Sequence, residues 1–159
     1  NKNKINYFLN EEKKISNKDF EKFNLRMENS KKSLQLFLKG QSKKNIIGYG
    51  ASTKGNVILN YCKLNNKNIS YICDANPTKE GKFTPGSHIK IISKNKMRKI
   101  KPKYLIVLIW SFRTEVIKQE KKFIKNGGKL IFPLPVFHVV DKENYKKYLK
   151  EDFSLYSFS

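Results

Sequence analysis

Residues 104–110 read Tyr-Leu-Ile-Val-Leu-Ile-Trp, an apolar run without a polar break. A strand with one wet face alternates apolar and polar residues, whereas an unbroken run has apolar neighbours on both faces. The run is far shorter than the ~18 residues of a membrane helix. It therefore predicts a strand in the middle of a sheet that helices cover on both sides, and such sheets are parallel. Other segments agree. Residues 45–51, 69–74 and 129–132 are strand-like, with a short strand at 89–92. Helical patterns fall at 53–64, near 93–100 and at 113–125, the last closed by Gly127 and Gly128. Strand and helix alternate from 45 to 132. The expected fold is α/β, a Rossmann-like doubly wound, mostly parallel sheet flanked by helices, with right-handed crossovers.

Two helical segments flank this unit. Phe20, Phe23, Met27, Leu34 and Phe37 recur at helical spacing and predict a helix over 16–40 with an apolar face. Ser16 and Asp19 form a capping-box pattern, and Gly40 suits the stop. Residues 141–159 predict a charged helical tail carrying aromatic residues. The organisation expected is thus 1–40 helical, 41–140 the Rossmann-like domain, and 141–159 the tail. Residues 74–88 hold two prolines and two glycines without periodicity and predict a long loop. Loops of that length in compact domains are usually functional.

The net charge of +21 raises the question of nucleic acid. Only Arg26, Arg98 and Arg113 among the 34 basic residues are arginine. The lysines are scattered among Asn and Ile, as A/T-rich codons would give, and a dedicated nucleic-acid surface favours arginine forks. Weak adhesion to polyanions is expected, and specific nucleic-acid binding is not. The two cysteines, Cys62 and Cys73, have no partner at metal-ligand spacing, so no metal is expected. Reduced thiols and the lack of a signal or membrane pattern point to a cytoplasmic protein. The chain opens on Asn1 rather than Met, as a piece of a longer protein would.

Ligands of such sheets bind beyond the carboxyl ends of the strands, where the strand order reverses. Three segments should meet there: the turn after the first strand, the loop at 74–88, and the turn after Trp110. Gly48 and Gly50 permit a tight turn and a close approach of backbone amides to an anion. Ser52 and Thr53 can cap the following helix, whose N-terminus carries partial positive charge, and Lys54 adds a full one. Asp74 ends the second strand, where an acid would hold a ribose. The dinucleotide fingerprint wants a third glycine at 53, where Thr53 stands, so the match is partial. Trp110 can stack a base or plug the core, and Arg113 can grip a phosphate or pair with Asp74. His88 is read as a ligand contact and His138 as structural. No nucleophile–base or acid–base constellation is evident, so no catalytic residue is assigned.

Taken together, GYGASTKGNVILNYC (48–62), DANPTKEGKFTPGSHIKI (74–91), VLIWSFRTEVI (107–117) and GGKLIFPLP (127–135) resemble the C-terminal domain of S-adenosylmethionine-dependent sugar C-methyltransferases. The resemblance implies a larger enzyme with a zinc-binding N-terminal domain and a central methyltransferase domain that binds S-adenosylmethionine. This chain should bind neither group. It implies a nucleotide-diphosphate 4-keto-6-deoxysugar, typically thymidine-linked, held between the central and C-terminal domains. There a base removes the proton next to the ketone and the enolate takes the methyl group. The implied substrate contacts are Gly48, Tyr49, Gly50, Ala51, Ser52, Thr53, Lys54, Gly55 and Asn56 at the diphosphate or sugar. Asp74, Asn76, Pro77, Thr84, Pro85, Gly86 and His88 of the loop, with Trp110 and Arg113, would close the site. Zinc cysteines, the methyl-donor loop and the catalytic bases have no counterpart in these residues, so the chain alone is not expected to transfer a methyl group. The alternatives are an NAD(P)-dependent oxidoreductase domain and a non-enzymatic polyanion-binding module. Helix 16–40 and the tail would bare apolar faces where other domains normally cover them, and a homodimer through those helices is one expected result.

Overall fold

The computed structural model describes residues 2–151. Six strands form one sheet: β1 (Ile46–Tyr49), β2 (Tyr71–Asp74), β3 (Ile91–Ser93), β4 (Tyr104–Val107), β5 (Lys129–Phe132) and β6 (His138–Val140). Their order is β3-β2-β1-β4-β5-β6. All neighbours run parallel except β5 and β6. The helices are α1 (Lys2–Glu12), α2 (Asn17–Leu38), α3 (Thr53–Tyr61), α4 (Lys94–Ile100), α5 (Arg113–Gln119), α6 (Lys121–Lys125) and α7 (Tyr145–Lys150).

The unbroken run in β4 has a direct cause. Tyr104 and Ile106 point into one apolar layer, where α2 and α3 supply Leu34, Leu38, Ile58 and Leu59. Leu105 and Val107 point into the other, where α4 to α7 supply Met97, Val116, Ile117, Ile124 and Tyr145. Both faces of the central strand are dry, so neither can be polar. The α/β, mostly parallel architecture read from the run is the one observed.

Several details differ from the sequence reading. β4 ends at Val107, and Trp110–Phe112 is a 3-10 turn rather than strand. The helix expected over 113–125 is split at Glu120. β6 follows the Pro-Leu-Pro segment and returns antiparallel, giving the sheet an edge strand that periodicity did not indicate. The α2 helix begins with the expected capping box, Ser16 with Asp19, and stops before Gly40, whose φ is +82°. Its apolar stripe is only half used: Ser30, Leu34 and Leu38 are buried, whereas Phe20 and Phe23 are 60% and 51% exposed. At about 1.5 Å per residue the helix outruns the core it serves. His138 is stacked between Phe132 and Tyr148, with centroids 4.9 and 4.8 Å away, and burial lowers its pKa. The tail reading for 152–159 falls outside the described residues. Among the described residues no helix is long and apolar enough to cross a membrane.

Candidate functional site

The strand order reverses between β1 and β4. The chain leaves β1 toward α3 on one side of the sheet and leaves β4 toward α5 on the other, which opens a crevice between the two turns. Gly50 makes the first turn possible. Its φ is +94°, its N–H donates to the Cys73 carbonyl at 2.8 Å, and a Cβ there would sit 2.5 Å from Ile109 Cγ2. Ser52 caps α3, its hydroxyl oxygen accepting the Gly55 N–H at 3.0 Å. Gly55 lets the helix start approach β4: a Cβ would stand 2.9 Å from Leu108 Cβ. Gly55 thus does the close-approach work expected of a glycine at position 53, two residues later in the chain.

The result is a cleft of about 290 Å³. Ser52, Thr53 and Lys54 form one wall, and Leu108, Ile109, Trp110, Ser111 and Phe112 form the other. The first wall is a helix N-terminus, where the Thr53 and Lys54 amides have no acceptor within the helix, with a lysine beside it. The second is apolar and aromatic. One side suits an anion and the other a ring or sugar face.

Of the residues named from sequence, the cleft brings together Ser52, Thr53, Lys54 and Trp110, with Gly50 and Gly55 shaping the backbone around them. Tyr49 is a correction. Its ring is buried on the opposite face of the sheet, where its hydroxyl donates to Glu120 at 2.9 Å and accepts from Lys94 at 2.6 Å. Glu120 in turn holds Arg98 through both carboxylate oxygens. Burial, with the Glu120 charge beside it, raises the Tyr49 pKa. Gly48 is a packing residue: a Cβ there would meet Ile72 Cδ1 at 2.3 Å.

Asp74 is a second correction. Its Oδ2 accepts the Ala51 N–H at 2.7 Å and lies 3.3 Å from Lys79 Nζ, while Oδ1 accepts the Asn76 N–H. Lys79 also donates to the Ala51 carbonyl at 2.8 Å. The carboxylate braces the glycine turn against the loop and does not reach for a ribose. It pairs with Lys79, not with Arg113. Arg113 is buried under α7, donating to the Glu151 carbonyl at 3.1 Å with Tyr148 stacked 5.5 Å away. It does not line the cleft.

The rest of the loop serves its own fold. Asn76 accepts from the Thr78 N–H and hydroxyl, and Pro77 starts a 3-10 turn. Thr84 is buried, bonded to Ser87 and to the Ile89 N–H. Pro85 and Gly86 sit against Asn60, whose amide donates to the Pro85 carbonyl at 3.2 Å. Asn60 is seven residues beyond Thr53, about 10 Å along α3. His88 is exposed with φ +51°. Asn56 is half-buried and continues the helix through Ser52. Residues 84–88 therefore run beside α3 rather than over the cleft. Sequence reasoning missed Ile109 and did not single out Lys79, which has no local signal; Ser111 and Phe112 belong to the turn after Trp110 that it places at the site.

A larger groove of about 730 Å³ lies between α4 and α6, lined by Met97, Arg98, Pro102 and Phe123 among others. Pro102 and Gly128 precede β4 and β5, which places it at the amino ends of the strands, away from the switch point. Among the described residues no three His, Cys, Asp or Glu side chains cluster as a metal site, and the acid that would hold a ribose is engaged.

A family model described as the C-methyltransferase C-terminal domain matches residues 1–135. The chain belongs to this family. A curated relative, "C-methyltransferase NovU" of Streptomyces niveus, is 39% identical over 101 residues. That match spans 64% of this chain and 24% of the relative, so the chain corresponds to about a quarter of the relative's length. The glycine turn and the Trp110 turn both lie within the residues that the family model matches.

Proposed function

We propose that this chain is the substrate-holding domain of an S-adenosylmethionine-dependent C-methyltransferase acting on a nucleotide-diphosphate 4-keto-deoxysugar, thymidine-linked. The cleft at the switch point carries this reading: a helix N-terminus with Lys54 faces an aromatic wall across about 290 Å³. Charged oxygens of the diphosphate would lie at Ser52, Thr53 and Lys54. Trp110 and Phe112 would cover the sugar or base. Family membership supports methyl transfer as the chemistry of the whole enzyme. The methyl donor, zinc and the proton-abstracting base would belong to the rest of that enzyme. The central methyltransferase domain would close the open side of the cleft. Two free, buried thiols agree with a cytoplasmic location. The engaged Asp74 and the Thr53 at the third glycine position weigh against a dinucleotide.

A thermal-shift titration at moderate salt tests the reading, using thymidine diphosphate, uridine diphosphate, NAD and S-adenosylmethionine. A ligand at a hundred times its Kd adds about 2.7 kcal/mol. For a chain of this size that raises Tm by about 5–10 °C. Thymidine diphosphate should give the largest shift, and Lys54→Ala and Trp110→Ala should each remove most of it. A shift with NAD alone, or a thymidine diphosphate shift indifferent to both substitutions, refutes the proposal.

A further inference from the structure

Helix α1 has no buried residue. Ile5, Phe8 and Leu9 are 60%, 54% and 48% exposed. They share one side of the helix, since residues three and four apart are neighbours. Lys2 and Glu12 extend the same stripe at its two ends. Along it the order is Lys2, Ile5, Leu9, Glu12, positive then apolar then apolar then negative, at intervals of three, four and three. The spacing is unchanged when the helix is reversed, and the charges then exchange sign.

We infer that this stripe is a self-complementary docking surface on which α1 of a second copy of the chain lies antiparallel. Turned end for end, Ile5 of one copy meets Leu9 of the other, and Lys2 meets Glu12 twice. The contact is isologous, as a two-fold dimer requires. A partner of one charge sign would be repelled at one end of the stripe, whereas a reversed copy matches both ends. The overall charge points to the same place. Residues 1–28 hold seven basic and five acidic residues, a net +2, and the other +19 resides in the remainder of the chain. Two copies at +21 each repel overall, and this near-neutral arm adds little to that repulsion. Phe20 and Phe23 of α2 are likewise exposed.

Sedimentation velocity at physiological salt tests this directly, because the pairing doubles the 18.7 kDa mass. So small a contact falls in the weak, transient class of interfaces below about 1,200 Å², so the chain is examined at about 100 µM. Dimer is expected for the wild type. Leu9→Glu should abolish it. Lys2→Glu and Glu12→Lys should each weaken it by about tenfold, since two symmetry-related exposed pairs turn from attraction to repulsion. Mixing the two charge variants should restore dimer as a heterodimer, and the double variant K2E/E12K should restore it alone. Because α1 buries nothing, all four variants should keep the wild-type Tm, which separates loss of pairing from loss of fold. A wild type that stays monomeric overturns the inference. So does a dimer that none of the substitutions affects, or charge variants that fail to recover on mixing.

Discussion

Gly50→Ala is the most informative single change, because its two costs can be separated within the same chain. A non-glycine residue held at positive φ costs about 1–2 kcal/mol. The new Cβ would also stand 2.5 Å from Ile109 Cγ2 and 3.0 Å from Cγ1, so the wall of the cleft must move. Overfilling a packed site typically costs about 1–3 kcal/mol. The sum is about 2–5 kcal/mol, which at about 2–4 °C per kcal/mol lowers Tm by about 4–20 °C. Gly40 supplies the first cost alone: its φ is +82° and nothing lies within 4 Å of a Cβ. Gly40→Ala should therefore lower Tm by only about 2–8 °C. Gly48 supplies the second alone, with ordinary φ and Ile72 Cδ1 2.3 Å from a Cβ. Urea denaturation of the three variants, read at constant m, gives the three free energies. If Gly50→Ala costs no more than Gly40→Ala, Ile109 is not the wall behind the turn. Ile109→Ala combined with Gly50→Ala supplies the check, since relief of the contact should make the double variant more stable than the two losses predict by about 1 kcal/mol.

Three further outcomes follow from named contacts. Arg98→Met should cost about 3–5 kcal/mol, because the Glu120 carboxylate has no exposed side-chain surface and loses its guanidinium. Glu120→Gln should cost only about 1–2 kcal/mol, since Arg98 is 45% exposed and rehydrates; urea midpoints in the reverse order would refute this. Asp74→Ala should cost about 1–3 kcal/mol by releasing the Ala51 N–H, and amide exchange at Ala51 should quicken at least tenfold; an unchanged exchange rate would mean the brace is idle. Burial pushes the Cys62 thiol up to about 11 and Cys73 up to about 12, from an ordinary 9.0. The unfolded chain then loses these protons first. The associated stability is complete below pH 9 and lost as pH rises through 11 and 12, at about 1.4 kcal/mol per pH unit for each thiol. Denaturation between pH 8 and 10.5 should show this slope, reduced by half in Cys73→Ala, and a flat profile would contradict the burial of both thiols.

The central architecture was legible because burial on both faces leaves a mark that no other environment leaves, and Tyr104–Trp110 carries it. The capped start of α2 and the glycine turn were legible for a similar reason, since each is decided by a few adjacent residues. The elements that escaped are those settled by distant partners. β6 is three residues long and owes its place to pairing with β5, not to its own pattern. α1 falls within the 1–40 stretch read as helical, although no apolar pattern set it apart from α2. The same division holds at the site. Ser52, Thr53 and Lys54 are local to the helix start, so their placement follows from the turn. Tyr49 stands between two site glycines, yet strand alternation sends its ring through to the other face. Arg113 follows the aromatic turn directly, but the α7 helix, more than thirty residues later, covers it. The partner of Asp74 is not decided by its immediate neighbours in sequence. Lys79 wins because the 3-10 turn at Pro77–Lys79 folds it back onto Ala51.

The position of Tyr49 has a mechanical consequence. Its carbonyl accepts the Leu108 N–H at 3.0 Å, so its backbone ties the ends of β1 and β4 together directly beneath the cleft. Its side chain is anchored below by Glu120, Lys94 and Arg98. One residue thus acts as a rivet through the sheet, with its head in the floor of the cleft and its shank clamped between α4 and α5. The cleft draws stiffness from a polar joint on the opposite face of the sheet. Side chains at 52–54 and 109–112 can consequently be exchanged to suit a different ligand while the floor keeps its level. A change at Arg98, on the far face and remote in sequence from both walls, would tilt that floor for every ligand alike.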